Sequence, residues 1–289
     1  MEQNHMNIQW YPGHMTKTRR QIEEDLKGVD AVCEIVDARI PISSRNPDID
    51  TICGSKPRII VLNRMDLADP SATKRWMAYF RSKGMAAVAT DCKSKKGIVD
   101  FQPAVRSVLK EKIQHNTAKG MNRPLRVMVV GIPNVGKSTL INQISGRKGA
   151  KAENRPGVTR GKQWVTVDKG LLLLDTPGIL WPKFEDPQVG MMLAYTGAVK
   201  ENVIDTEELA CRLMELLFKL YPDTVRQRYK INLSQNVPGY MLLEEAGRKR
   251  GYLLSGGEIN TERMAKVLLD EYRSGKLGYF TLEEPEDVL

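Results

Sequence analysis

The chain of 289 residues is 41% hydrophobic and 27% charged with a formal net charge of +9, so it can bury the core of one large domain or two ordinary ones. No stretch approaches the ~18 continuous apolar residues of a membrane span, and the polar start MEQNHMNIQW lacks a signal-peptide core, so a soluble, cytoplasmic protein with no membrane partner is expected. The cysteines, Cys33, Cys53, Cys92 and Cys211, form no CxxC pair and predict buried or incidental thiols rather than a zinc site or disulfide framework.

In chain order, DAVCEIVDAR (30–39) and PRIIVLN (57–63) are Val- and Ile-rich runs bounded by turn residues, the pattern of buried parallel strands. The second run enters Asn63-Arg64-Met65-Asp66, which resembles the NKxD tetrad of GTP-binding proteins. Selecting guanine requires a carboxylate that accepts from the ring N1–H and the exocyclic amine, and Asp66 is suited to this. Asn63 is expected to bond the base edge and brace nearby loops, while the stem of Arg64 covers the ring face. Arginine stands here where lysine is usual, and its planar group stacks without being an equivalent substitute. Trp76, Met77 and Phe80, closed by Gly84, predict a helix over 70–84. MAAVATD (85–91) reads as a strand, and TDC (90–92) as a loop approaching the guanine carbonyl with Asp91 and Cys92 nearest. A helix over 97–113 and a polar connector, QHNTAKGMNRP, follow.

The strand LRVMVVG then opens into GIPNVGKS (131–138), a full match to GxxxxGK[ST] between a strand and the helix KSTLINQISG. Gly131 and Gly136 let the backbone curl, so that the amides of Asn134, Val135, Gly136, Lys137, Ser138 and Thr139 surround phosphate oxygens at a helix N-terminus. Lys137 is expected to reach the β- and γ-phosphates and the Ser138 hydroxyl to bind Mg²⁺. QWVTVDKGLLLLD (163–175) reads as a hairpin that adds one antiparallel strand. It ends in DTPG, where Asp175 is placed to hold Mg²⁺ through water and Gly178 to offer its N–H to the γ-phosphate. NRPGVT (154–159) puts Thr159 where a switch loop contributes a hydroxyl to the metal.

Strands alternating with helices predict an α/β fold with a doubly wound, mostly parallel sheet. The base motif precedes the phosphate loop, an order explained by a circularly permuted P-loop G domain whose chain was cut at one connection and rejoined at another. Past about 183 the strand signal fades. Leu209, Leu213, Leu216, Leu217 and Leu220 repeat at helical spacing behind an Asp205/Glu208 capping pair. Asn260 is expected to cap a helix carrying Met264, Val267, Leu268 and Tyr272, stopped by Gly275. The expected division is a GTPase domain with an N-terminal arm over 1–182 and a smaller helical domain over 183–289.

Residues 1–200 carry 32 Lys and Arg against 19 Asp and Glu, a net of +13, whereas 201–289 carry 12 against 16. Arg147, Lys148, Lys151, Arg155, Arg160 and Lys162 gather in or beside the switch loop, and RQRYK (226–230) and GRKRG (247–251) are basic clusters in the acidic C-terminal part. Such clusters suit RNA phosphates or a solvated surface.

With these motifs in this order, the chain resembles the circularly permuted GTPases of ribosome assembly. IQWYPGHMTKTRR (8–20), VDARIPISSRNP (36–47), GIPNVGKSTLIN and LLDTPGILWPKFED narrow the resemblance to the ribosome biogenesis GTPase A, or YlqF-type, family. The resemblance implies GTP and GDP as ligands, a large ribosomal subunit precursor and its rRNA as partners, and an RNA-contacting C-terminal domain. Ile179 follows Gly178 where many GTPases carry a water-orienting glutamine, and the resemblance points to His14 for that role. It also points to Asn134 as a K⁺ ligand beside the phosphates. A monomer is expected. Two other readings stay open: a nucleotide-gated RNA-binding or RNA-modification partner, and a metabolic P-loop ATPase or kinase, against which Asp66 and DTPG argue.

Overall fold

The computed structural model describes residues 20, 22–146, 163–178, 186–199, 205–234 and 236–288. His14, Thr159, Ile179 and the basic run over 147–162 lie outside them. The chain divides into two compact units, a sheet unit drawn from Gln9–Phe184 and Glu283–Leu289 and a helical unit drawn largely from Glu185–Leu282.

The sheet unit is built on six strands, β1 (Ala31–Asp37), β2 (Arg58–Asn63), β3 (Ala86–Thr90), β4 (Leu125–Gly131), β5 (Gln163–Asp168) and β6 (Leu171–Asp175), ordered β3-β2-β1-β4-β6-β5. All neighbours are parallel except β5, which returns along β6 as the Lys169-Gly170 turn demands. Every residue of β1 is buried, the expected state of a strand covered on both faces. Its one acidic side chain before the terminus, Glu34, takes guanidinium groups from Arg45 (3.0 Å) and Arg58 (2.7 Å).

Helix α1 (Ile49–Cys53) is short; α2 (Pro70–Ser82) is not. Asp69 caps α2 by accepting from the Ser71 and Ala72 amides at 2.7 and 3.1 Å, proline opens it, and Trp76 and Phe80 bury its inner stripe. The single helix expected over 97–113 is instead a 3₁₀ turn (Ile98–Asp100), α3 (Phe101–Val108) and α4 (Lys110–Ala118). Gly97 cannot start it, because it sits at φ 71° where an added Cβ would collide with the Ala89 carbonyl. Leu109, at φ −106° and buried, separates the two helices. Helix α5 (Lys137–Ser145) runs from the phosphate loop to Gly146 in the left-handed conformation.

The helical unit holds α6 (Pro187–Tyr195), α7 (Thr206–Leu220), α8 (Pro222–Tyr229), α9 (Gly239–Lys249) and α10 (Thr261–Ser274). Leu209, Leu213 and Leu217 of α7 are fully buried, while Leu220 is exposed. Asp205 caps α7 alone; the expected partner Glu208 pairs with Arg212 at 2.7 Å instead. Asn260 and Gly275 cap and stop α10 as expected. Helix α9 was not legible, since Gly239 and Gly247 weaken its helical signal. Both glycines are contact points: a Cβ on Gly239 would strike the Cys211 carbonyl carbon at 2.7 Å, and one on Gly247 would lie 2.8 Å from Ile259. Cys33, Cys53 and Cys92 are buried free thiols and Cys211 is part-buried. Among the described residues no helix is long and apolar enough to cross a membrane.

Candidate functional site

The parallel strands end together. Cα partners in register are Asp37 with Asn63, Asn63 with Thr90, Ile35 with Gly131 and Val129 with Asp175, so the polar residues that close these runs share one edge of the sheet. From β1 the chain builds outward through β2 and β3, and then returns to place β4 on the other side of β1. This reversal opens a crevice at the carboxyl ends of the strands. The base motif lies on one side of the crevice and the phosphate loop on the other.

Asn63 bridges the two. Its Nδ2 donates to the Val135 carbonyl at 2.7 Å, and its Oδ1 accepts from the Thr90 hydroxyl at 3.0 Å and the Cys92 thiol at 3.1 Å. Burial pushes the Cys92 thiol up to about 11, so it stays protonated and able to donate. Arg64, at φ 61°, extends Nη2 to the Asn134 carbonyl at 2.5 Å and sets Nη1 3.6 Å from Asp37. Asp37 is itself gripped by buried Arg39 through Nε (2.9 Å) and Nη2 (2.8 Å), which holds its carboxyl below the usual range against burial. The Met65 amide donates to the Thr90 carbonyl at 3.1 Å, fixing the tetrad against β3.

Asp66 is half-buried at the crevice, and burial, with Asp91 nearby, raises its carboxyl above the ordinary value. The Asp91 carboxylate accepts from the Lys93 amide at 2.8 Å and from the Ser94 hydroxyl, closing its own loop. Those bonds hold it below the usual carboxylate range against burial.

In the phosphate loop, Asn134 and Gly136 take positive φ (60° and 103°), which curls the backbone ahead of α5. Lys137 is buried, with Nζ donating to the Gly131 and Ile132 carbonyls at 3.0 and 2.9 Å. Burial pushes its ammonium down to about 8, with Asp175 opposing. Asp175 accepts weakly from Ser138 at 3.5 Å through Oδ2, and its buried Oδ1 has no hydrogen-bond partner among the described residues. Thr176 ties the DTPG end to β4 by donating to the Val129 carbonyl at 2.7 Å. Gly178 lies so close that an added Cβ would stand 2.9 Å from Lys137 Nζ and 2.9 Å from Pro133. Ser138 and Thr139 are part-exposed at the first turn of α5. Among the described residues no three His, Cys, Asp or Glu side chains form a metal cluster.

A Cβ on Gly136 would collide with the Asn63 carboxamide in addition to straining φ. Gly136→Ala is therefore expected to lower stability by about 1–3 kcal/mol and to part the two loops. Thermal unfolding with and without GDP should show a lower midpoint and a smaller GDP-induced rise.

Residues 126–233 match the family described as 50S ribosome-binding GTPase. Along nearly its whole length the chain is similar to ribosome biogenesis GTPase A of Priestia megaterium, with 46% identity over 98% of this chain and 99% of that one. The chain belongs to the ribosome biogenesis GTPase A family. The same protein of Thermotoga maritima is 33% identical over 97% of this chain and 96% of that one, and mitochondrial ribosome-associated GTPase 1 of Mus musculus is 33% identical over 97% and 91%. A structure of YlqF from T. maritima with GNP bound is 30% identical and covers 93% of this chain and 99% of that one, with a TM-score of 0.60. The GDP-bound YlqF structure gives a TM-score of 0.67 at 29% identity, over 93% and 100% of the two chains.

Sequence reasoning passed over the roles of Asp37, Arg39, Thr90 and Thr176. The signal was present in the first pair: opposite charges two residues apart at the end of β1, with Asp37 in register with Asn63. In the helical unit, the two basic clusters converge on Glu271, which accepts from Arg228, from Arg250 at 3.2 Å and from the Tyr229 hydroxyl at 2.8 Å. Arg250 stacks 5.1 Å over Tyr229, and Arg263 4.2 Å over Tyr252.

Proposed function

We propose that the chain binds GTP and GDP in this crevice and hydrolyses GTP as a switch in late assembly of the large ribosomal subunit. The observation that carries the reading is the pair of bonds from Asn63 and Arg64 to the Val135 and Asn134 carbonyls. These bonds tie the loop over 63–66 directly to the loop over 131–138, which supports reading the two as halves of one nucleotide pocket. In this reading Asp66 accepts from the guanine N1–H and amine, Cys92 and Asp91 flank the base, and the amides from Asn134 to Thr139 with Lys137 hold the phosphates. Gly178 reads the γ-phosphate.

Mg²⁺ fits the residues present: Asp175, whose buried Oδ1 has no hydrogen-bond partner among the described residues, would hold the ion through water, and the nearby Ser138 hydroxyl would bind it, with Thr159 as our third candidate ligand. When bound, the ion would neutralise charge on the phosphates. Asn134 is our candidate K⁺ ligand, and His14 our candidate for orienting the attacking water in place of Ile179. The sheet unit, which takes in most of the expected 1–182 range together with 283–289, is the switch, and the helical unit, largely within the expected 183–289 range, contacts rRNA. The convergence of two basic clusters on Glu271, with guanidinium groups stacked on tyrosines, supports the rRNA contact. The ribosomal partners named for the relatives support the large subunit as the site of action. The protein acts as a monomer in the cytoplasm.

The test is GTP turnover with and without large-subunit particles, each in K⁺ and in Na⁺. Turnover should rise on adding particles, fall in Na⁺, and particle binding should weaken steeply with salt because phosphate contacts release counterions. Unchanged turnover together with salt-independent binding would overturn the assembly role.

A further inference from the structure

The C-terminal tail is bonded into the nucleotide unit at a point that no motif accounts for. The Glu283 carboxylate accepts from two consecutive amides, Ile42 at 2.7 Å and Ser43 at 3.0 Å, across 240 residues of sequence. Its backbone carbonyl accepts from Trp76 Nε1 at 2.9 Å, and Arg75 of α2 forks onto Glu284 at 2.6 and 3.1 Å. Trp76 is fully buried, so the tail is anchored to the core of the unit at one end and to the loop after β1 at the other.

That loop leads to the base motif. Ser44 donates to the Ile40 carbonyl at 2.6 Å and accepts from the Asp37 amide at 2.9 Å, closing the turn that Glu283 holds from outside. Asp37 stands 3.6 Å from Arg64, and Arg64 reaches the phosphate-loop carbonyl of Asn134. A bond between a carboxylate and backbone amides is charge-assisted and directional, so it fixes the turn more firmly than a neutral contact. Asp37 sits at the end of β1, where a small shift of the turn alters its distance to Arg64 directly.

We propose that Glu283 is a positioning residue for the guanine nucleotide: it braces the turn over 40–44, which sets Asp37 against Arg64 and so keeps the base loop closed on the phosphate loop. The inference rests on the guanine-nucleotide reading of the crevice. Glu283 is also the first residue beyond the helical unit, one peptide bond from Leu282, so the brace is covalently continuous with that unit.

The test measures dissociation of a fluorescent GDP from the full-length protein. Glu283→Ala is expected to speed release about tenfold while leaving the turnover rate at saturating GTP within about twofold. Glu283→Gln, which keeps the shape but sets a donor against one amide, should fall between. In an Arg64→Ala background Glu283→Ala should add little, because both changes break one chain of contacts. Arg75→Ala, which loosens the tail without touching the Ile42 and Ser43 amides, should release GDP at the unaltered rate. If Glu283→Ala leaves release unchanged, or if its effect is fully additive with Arg64→Ala, the proposal fails. If the unaltered protein does not hold GDP at all, the nucleotide reading fails instead.

Discussion

Replacing Lys137 with alanine is expected to weaken GTP binding by about 30-fold to a few thousand-fold, since removing one partner of a buried charge pair costs about 2–5 kcal/mol. The lysine is preorganised: its stem is buried, and its ammonium waits on the Gly131 and Ile132 carbonyls within the loop that would hold the phosphates. Isothermal titration with GTP and GDP measures the loss directly. The pH dependence follows from the depressed ammonium. In the free protein burial pushes Lys137 down to about 8, with Asp175 opposing, and phosphate oxygens would raise it again. Above pH 8 the free protein holds a neutral amine, so binding must take up a proton. Affinity is then level below pH 8 and declines above it, by at most about tenfold per pH unit. Lys137→Ala should remove the decline along with the affinity. Lys137→Arg should not restore it, since the fork of a guanidinium does not fit the space between Gly178, Pro133 and the two carbonyls.

The second large effect is a change of base. Guanine presents two donors, N1–H and the exocyclic amine, and Asp66 presents only acceptors. Asp66→Asn turns one acceptor into a donor, which opposes the guanine amine but complements the carbonyl that xanthine carries at the same ring position. GTP affinity should fall by about 2–5 kcal/mol, or about 30-fold to a few thousand-fold, while xanthosine triphosphate gains. ATP should bind poorly to both forms. A competition assay against a fluorescent guanine nucleotide gives all three affinities. A metabolic ATPase or kinase using this phosphate loop would be indifferent to Asp66.

Much of this geometry was readable from local rules. The phosphate loop was legible because its glycines, lysine and serine each meet a separate backbone or charge requirement, and the Gly146 stop and the hairpin turn followed from single residues. The mostly parallel sheet was legible from strands too apolar to face water. What the residues alone could not give were contacts made across long sequence separations. Thr90 and Cys92 both turn to Asn63, yet nothing about a threonine or a cysteine at a strand end says that its hydrogen goes to an amide on a neighbouring strand. The turn that Asp91 closes with the Lys93 amide was likewise not read, although a carboxylate two residues ahead of an amide commonly bonds it. The expected helix over 97–113 failed for a tertiary reason, the approach of Gly97 to the Ala89 carbonyl. Helix α9 was hidden because the glycines that let it touch α7 and Ile259 also erase its propensity. The Glu283 brace lies furthest from view, since its partners stand 240 and 241 residues away.

The central claim is that Asp66 and Lys137 act on the same bound nucleotide, one at its base and the other at its phosphates. The most direct measurement titrates xanthosine triphosphate into Asp66→Asn and into the Asp66→Asn, Lys137→Ala double variant. The account predicts that the single variant binds this nucleotide and that the double variant loses it by the same factor by which Lys137→Ala alone loses GTP. Tight binding of xanthosine triphosphate by the double variant would contradict it, because the two loops would then serve different ligands.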